Sequence, residues 1–219
     1  MGGWLRVGLI DDHPAISTGV PAGLGQVIDP APVFTDAKTV DELVTSEVGA
    51  DGFDVVILDV RLADESTPED NVRRLSERGW PVLLYTREPR PAVLARCFAA
   101  GARGAVGKHE DWPVLAEALH AVAAGELYYN VEWACAVEAM SDSHRFPELA
   151  PRELEAVQLY AAGIPAKSVA RRMGVSETTV KEYLRRAGKK YEDAGRPAAT
   201  KTGLAQRAME DGFYFPVKE

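Results

Sequence analysis

Residues 7–14 read VGLIDDHP, where an apolar run ends in two adjacent carboxylates. Five such runs predict strands, at residues 5–10, 31–35, 54–58, 81–85 and 103–106. Helical segments are predicted after each run, near residues 14–28, 39–48, 68–78, 90–100 and 112–124. Strands that alternate with helices indicate an α/β domain with a doubly wound, five-stranded parallel sheet covered on both faces. Pro21 inside the first helix predicts a kink or an early end there.

The charge is divided unevenly along the chain, which has 219 residues and a formal net charge of −8. Residues 1–148 hold 12 Lys and Arg against 24 Asp and Glu, whereas residues 149–219 hold 13 against 9. We therefore predict an acidic domain at residues 1–124, a linker with a helix at 125–148, and a basic, all-helical domain at 149–219. The asymmetry indicates that the two domains have different partners.

Composition and the first residues predict a globular protein of the cytoplasm. There is no run of about 18 apolar residues that would cross a membrane, and acids follow the start too soon for a signal peptide. Cys97 and Cys135 have no paired metal-ligand spacing, so they are expected to be small buried hydrophobic residues.

Polar side chains follow four of the predicted strands, namely Asp11 and Asp12, Asp59, Thr86 and Lys108. Because the carboxyl ends of parallel strands meet at one edge of a sheet, we expect these side chains to converge. Three carboxylates suit Mg²⁺, which prefers oxygen ligands. Asp59 is then placed to act as a nucleophile toward a phosphoryl group whose oxygens Lys108 and Thr86 hold.

The acid pair also has a purely structural interpretation. Asp12 stands before His13 and Pro14, which is a good helix start with aspartate at the N-cap and proline early in the first turn. No functional role is predicted for His13.

The basic domain has the order helix, tight turn, helix. A helix from about residue 151 to 162 ends at Gly163, and Pro165 opens a short helix that ends at Gly174. Ser176 is the predicted N-cap of a third helix. This order predicts a helix-turn-helix whose third helix enters the major groove of DNA.

One face of the third helix is apolar and the opposite face is charged. A buried stripe is predicted from Val180, Tyr183, Leu184 and Ala187. The residues predicted to read base edges are Lys181, Glu182 and Arg185. Phosphate contacts are predicted for Thr178, Thr179, Arg186, Lys189 and Lys190, and for Lys167 on the supporting helix. The alternative is a solvated face on an ordinary helical bundle.

Residues 5–124 resemble the flavodoxin-like receiver domain of bacterial two-component response regulators, through the segments IDDH, VVILDVRL, LLYT and GARGAVGK. The later segments LAPRELEAV and VSETTVKEYLRRAGKKY resemble a LuxR-type helix-turn-helix, and the whole chain resembles the NarL/FixJ family. The resemblance implies a transcriptional regulator, not an enzyme, whose partners are double-stranded DNA, a sensor histidine kinase and a second copy of the chain. No membrane partner is expected.

The resemblance also assigns residues. It implies that Asp59 is the phosphoacceptor, that Asp11 and Asp12 bind Mg²⁺ with it, and that Thr86 and Lys108 are the switch residues. A last helix near residues 200–211 is the implied dimer contact, through Leu204, Ala205, Ala208 and Met209.

The chain departs from the family pattern at several positions. Ala105 replaces a usual aromatic residue, Arg87 replaces a usual small one, and the loop RLADESTPEDN at residues 61–71 contains four acids. Residues 192–203, EDAGRPAATKTG, form a longer segment before the last helix than is usual. Ala105, Arg87 and the acidic loop leave open a regulator that is independent of phosphorylation and controlled by a partner or a small ligand.

A remoter alternative is a Mg²⁺-dependent phosphatase or phosphotransferase. The sequence offers no second acid two residues beyond Asp59, where Arg61 stands.

Overall fold

The computed structural model describes residues 4–46, 52–64, 66–87, 90–129, 147–198 and 200–213. The chain forms two compact units, Met1–Val137 and Glu138–Glu219. The domain boundaries predicted at residues 124 and 149 stay predictions, because most of the linker, its predicted helix and Cys135 lie outside the described residues. Among the residues described, no helix is both long enough and apolar enough to cross a membrane.

The first unit is built on a parallel sheet of five strands. They are β1 Arg6–Ile10, β2 Val33–Ala37, β3 Val55–Leu58, β4 Val82–Thr86 and β5 Gly104–Gly107. Their order across the sheet is β2-β1-β3-β4-β5, and each pair of neighbours is parallel. This confirms the predicted fold. The last residues of β1 and β3, Ile10 and Leu58, lie side by side.

Among the described residues of this unit, five helices cover the two faces of the sheet. They are α1 Pro14–Leu24, α2 Val40–Thr45, α3 Pro68–Ser76, α4 Pro91–Ala99 and α5 Trp112–Ala123. Alternate residues of β3 point to opposite faces, so Val56 and Leu58 join the core under α2, α3 and α4, while Val55 and Ile57 join the core under α1 and α5. Cys97 is fully buried in the first of these cores, as predicted.

Helix α1 ends at Leu24, four residues before the predicted end, and includes Pro21. A glycine sets its distance from α5, because a Cβ atom at Gly23 would lie 2.3 Å from the Trp112 ring. The side chain of residue 23 therefore has to be absent for the two helices to pack as they do.

The described part of the second unit contains helices α6 Pro151–Ala161, α7 Ala166–Met173, α8 Glu177–Asp193 and α9 Lys201–Glu210. Gly174 ends α7 in the left-handed conformation with φ 67°, and the Ser176 hydroxyl caps α8 by accepting a hydrogen bond from the Thr179 backbone. The predicted stripe of α8 is present, with Val180 and Ala187 fully buried.

The long segment before α9 is fixed by a buried polar network. The Tyr191 hydroxyl donates to Asp211 over 2.8 Å, and a guanidinium nitrogen of Arg196 lies 2.7 Å from the other oxygen of the same carboxylate. Asp211 is fully buried. These contacts join the end of α8, the long segment and the end of α9, so the added residues are part of the packed unit.

Candidate functional site

A buried lysine joins two carboxylates that are far apart in the sequence. The Lys108 ammonium lies 2.6 Å from Asp11 Oδ2 and 2.6 Å from Asp59 Oδ2. All three side chains are at most 6% exposed. The predicted convergence of strand-end residues is therefore present for Asp11, Asp59 and Lys108, and the lysine balances charges that would otherwise repel each other.

The backbone around this pair fixes its orientation. Asp59 follows β3 directly, and its amide donates to the Ile10 carbonyl at the end of β1. The amide of His13 donates to Asp11 Oδ1 over 2.9 Å, and the amide of Arg61 lies 3.4 Å from Asp59 Oδ1. Sequence reasoning gave His13 no role, and a backbone contact of this kind leaves no signal in the residue type.

Asp12 lies beside the pair but makes no cap. Helix α1 has His13 at its N-cap, without a side-chain capping bond, so the interpretation of Asp12 as a helix cap is wrong. Asp12 Oδ1 is buried and accepts no hydrogen bond, although the His13 ring nitrogen lies 3.1 Å away.

The residues present fit a divalent cation with oxygen ligands. Asp11, Asp12, Asp59 and His13 each offer a ligand atom, and these atoms all lie within 4.8 Å of one another. The buried oxygen of Asp12 that lacks a hydrogen-bond partner is a free ligand position, and hard carboxylate oxygens suit Mg²⁺.

The electrostatics of Asp59 are balanced between burial and the lysine. Burial raises the pKa of Asp59, the hydrogen bond and charge of Lys108 lower it, and the charge of Asp11 raises it again, with a net shift upward. A cation bound beside Lys108, between Asp11, Asp12 and Asp59, would favour the ionised, nucleophilic form of the Asp59 carboxyl.

The other predicted site residues of this edge lie as follows. Thr86 is buried as the last residue of β4, and its carbonyl accepts a hydrogen bond from the Lys108 amide over 2.9 Å. Arg87 is exposed. Ala105 is buried in the core under α3 and α4, where its methyl group contributes to packing.

The acids of the loop after Asp59 are engaged in local structure. Asp64 accepts hydrogen bonds from the amide and hydroxyl of Ser66, and Asp70 pairs with Arg73 in α3. Glu69 lies 3.2 Å from Arg96 of α4. Glu65 lies outside the described residues. The charge of these three acids is therefore partly offset by donors and cations within the loop and its neighbouring helices.

The charged face of α8 is exposed, as predicted from its spacing. Lys181, Arg185, Arg186 and Lys189 are exposed and Glu182 is half-buried. Three of the cations are paired along the helix, since Lys181 lies 2.8 Å from Glu177, and Arg185 and Arg186 lie 2.7 Å and 2.9 Å from Glu182. Thr178 and Lys167 are exposed, while the hydroxyl of Thr179 contacts the Ser176 hydroxyl.

One predicted phosphate contact is corrected. Lys190 donates to Glu153 and to the Glu148 carbonyl, both over 2.7 Å, so it anchors α8 to the start of α6. Burial acts to raise the pKa of Glu153, but hydrogen bonds from Lys190 and from the Ala150 backbone bring it below its usual value. We therefore remove Lys190 from the set of candidate phosphate contacts.

The predicted dimer contact on α9 is also corrected. Leu204 is 4% exposed and Ala208 is fully buried, because both pack into the core of their own unit. Only Ala205 and Met209 of the four predicted residues keep exposed surface, and Met209 is 38% exposed.

Both units are similar to known regulatory proteins. A model of the luxR family of bacterial regulatory proteins matches residues 147–201. The nitrate/nitrite response regulator protein NarL of Escherichia coli K12 is 29% identical over 204 residues, which cover 87% of this chain and 91% of NarL. The virulence factor transcription regulator BvgA of Bordetella pertussis is 30% identical over 195 residues, which cover 83% of this chain and 88% of BvgA.

A solved structure gives the same result. The crystal structure of the response regulator ChrA, from a heme-sensing two-component system, is 26% identical with a TM-score of 0.52. The match covers 97% of this chain and all of ChrA. The similarity to regulators thus extends over both units and is not confined to the helix-turn-helix.

Proposed function

Because the chain belongs to the NarL/FixJ family of response regulators, we propose that Asp59 accepts a phosphoryl group and that this modification controls DNA binding by the second unit. At the coarser level the chain is a DNA-binding transcriptional regulator with a LuxR-type helix-turn-helix. The proposal concerns the chemistry of the acidic edge and its effect on the basic unit. A cytoplasmic location, where kinase and DNA are both accessible, goes with it.

The observation that carries the proposal is the pair of 2.6 Å contacts from Lys108 to Asp11 and Asp59. A carboxylate oxygen of Asp59 attacks phosphorus, and the bond from phosphorus to the donor breaks, which is a bond to a ring nitrogen of phosphohistidine or to the acetate oxygen of acetyl phosphate. We assign the Lys108 ammonium to balance the negative charge on the transferred group, and the Thr86 hydroxyl to hold one of its oxygens.

Asp11, Asp12 and Asp59 would hold Mg²⁺ in this reaction. When bound, the ion supplies positive charge that draws the phosphoryl oxygens toward the acids and offsets their repulsion. The open oxygen of Asp12 supports this assignment.

Phosphorylation changes the negative charge next to the Lys108 ammonium. It replaces the single charge of the Asp59 carboxylate by a group that carries roughly −1.5 to −2 charges, at a position where one ammonium already contacts two carboxylates. Lys108 and Thr86 are expected to change position to contact the new group. This rearrangement is the switch that we assign to the first unit.

The second unit is proposed to read DNA with the exposed face of α8. Lys181 and Arg185 are assigned to base edges, with Glu182 beside them, and Arg186 and Lys189 to phosphates. In a homodimer formed through the first unit or through Ala205 and Met209, two recognition helices would lie about one DNA turn apart on a pseudo-palindromic site.

The phosphorylation step is tested by the mass of the intact protein after incubation with acetyl phosphate and Mg²⁺. In this reaction acetate leaves as the phosphoryl group is transferred, so we expect one adduct of about 80 Da on the wild type. The adduct should be absent from Asp59→Asn and from samples treated with excess EDTA.

The same measurement separates the proposal from its rival. If the wild type stays unmodified while Mg²⁺ is present, the chain is a regulator that works without phosphorylation, under the control of a partner or a small ligand. An adduct that persists in Asp59→Asn would place the acceptor elsewhere.

A further inference from the structure

We propose that Glu182 is a positioning residue that orients Arg185 for base reading and does not itself read a base. The inference rests on the proposed DNA-binding function of α8 and assigns a different role to one residue of its face. It follows from how the carboxylate oxygens are used.

Both oxygens of Glu182 are occupied by arginines of the same helix. Glu182 Oε2 accepts from Arg185 Nε over 2.8 Å, and Oε1 accepts from Arg185 Nη2 over 2.7 Å. The Arg186 Nε also donates to Oε1, over 2.9 Å. A carboxylate that accepts three charge-assisted hydrogen bonds has little capacity left for the amino group of a cytosine.

The pairing leaves the reading end of Arg185 available. Glu182 takes the Nε hydrogen and one hydrogen of Nη2, so both hydrogens of Nη1 and one of Nη2 stay free of this contact. The guanidinium is planar and donates in a fixed fork, and its outer edge matches the O6 and N7 acceptors of guanine. Holding the inner edge therefore fixes the direction of the outer edge.

The pairing does little for folding. The side chains of Arg185 and Glu182 are 65% and 38% exposed, and ion pairs with this exposure add little to stability. What the contact does provide is one preferred conformation for a long side chain that would otherwise lose that freedom on binding DNA.

The charge of Glu182 acts against general DNA binding. Hydrogen bonds from Arg185 and then Arg186 lower the pKa of Glu182 to about 2, so the carboxylate stays ionised near neutral pH. An anion on the face that meets phosphates weakens binding to every sequence. Replacing Glu182 by an uncharged residue therefore has two opposite effects, stronger binding in general and weaker discrimination at one base.

The test uses the full chain and a library of random-sequence DNA duplexes. Bound duplexes are sequenced for the wild type, Glu182→Gln, Arg185→Ala and the double variant. Glu192→Gln is the matched control, because it removes the same charge from an exposed position of α8 without removing a contact to either arginine. Helix content by circular dichroism verifies that each variant is folded.

We expect Arg185→Ala to reduce the preference at one base position by about tenfold. Glu182→Gln should reduce the preference at that same position and raise the retention of unselected DNA. The double variant should have the same base preferences as Arg185→Ala alone. Glu192→Gln should raise retention alone.

Three outcomes overturn the inference. The first is that Glu182→Gln reduces the base preference at a position that Arg185→Ala does not affect. The second is that the double variant loses more base preference than Arg185→Ala alone. The third is that Glu182→Gln leaves all base preferences unchanged. A wild type that selects no sequence at all would instead overturn the proposed function of α8, and the inference with it.

Discussion

At the level of single side chains, the first unit depends on one ammonium shared by two buried acids. Lys108 follows β5, Asp11 follows β1 and Asp59 follows β3. The two contacts of the lysine therefore connect the ends of three strands. Without the lysine, the carboxylates would face each other with little water to screen them. The same lysine serves stability in the resting protein and chemistry during phosphoryl transfer.

Lys108→Met is expected to lower the free energy of unfolding of the first unit by about 3 kcal/mol, because it leaves buried charges uncompensated. Mg²⁺ should restore more stability to this variant than to the wild type, since a cation at the acids replaces the lost charge. Urea unfolding followed by tryptophan fluorescence measures this, because all four tryptophans lie in Met1–Val137.

Lys38→Met is the control for that experiment. Lys38 is exposed, so its loss should change stability by less than about 0.5 kcal/mol. Equal unfolding curves for Lys108→Met and Lys38→Met would contradict the role given to the shared ammonium.

Lys189 belongs to the phosphate-contacting side of α8. Lys189→Ala should weaken binding to all duplexes alike and reduce the slope of log affinity against log salt by about 1, because one fewer counterion is released. Titrations of one duplex at several salt concentrations measure the slope. A loss confined to one sequence would show that Lys189 reads a base.

Sequence reasoning placed the acidic site well because a parallel sheet brings all strand ends to one edge whatever their distance in the chain. It failed for Lys190, whose partner Glu153 lies 37 residues earlier and is reached only through the packing of α6 on α8. It also failed for Leu204 and Ala208, because an apolar stripe does not tell whether the residues face their own core or a second copy.

At the level of helices and strands, close packing of α1 on α5 depends on Gly23. Gly23→Ala would bring a methyl group against the Trp112 ring, so the free energy of unfolding should fall by about 1 to 3 kcal/mol. Tryptophan fluorescence reports this directly, because Trp112 is the residue displaced.

Gly19→Ala in the same helix provides the comparison. A Cβ atom there meets nothing within 4 Å, so the change should leave stability equal or raise it by up to about 1 kcal/mol. If both alanines had the same effect, the close approach of α1 to α5 would not be the reason for glycine at position 23.

The accuracy of the predicted helix and strand boundaries differs between elements. The buried strands β3 and β4 were expected to within a residue, since their apolar runs are continuous. Strand β2 begins at Val33 and not at residue 31, and this edge strand carries polar and exposed residues, so its pattern is weak. Helix α2 is the shorter element Val40–Thr45, capped by the Thr39 hydroxyl.

For the molecule as a whole, the two units divide the chemistry of regulation. The acidic unit concentrates carboxylates around one lysine, and the basic unit presents a cationic helix that is neutralised in part by its own acids. The division was visible in the sequence, because charge sums need no knowledge of packing. The central claim is that phosphorylation of Asp59 in the first unit controls DNA binding by the second.

The most direct test of that claim is the affinity of the full chain for a duplex selected from the random library, measured by fluorescence anisotropy with and without acetyl phosphate and Mg²⁺. We expect phosphorylation to raise the affinity of the wild type by about tenfold, a typical coupling between two sites, and to leave Asp59→Asn unchanged. A wild type that carries the adduct by mass and binds the duplex with unaltered affinity would contradict the account.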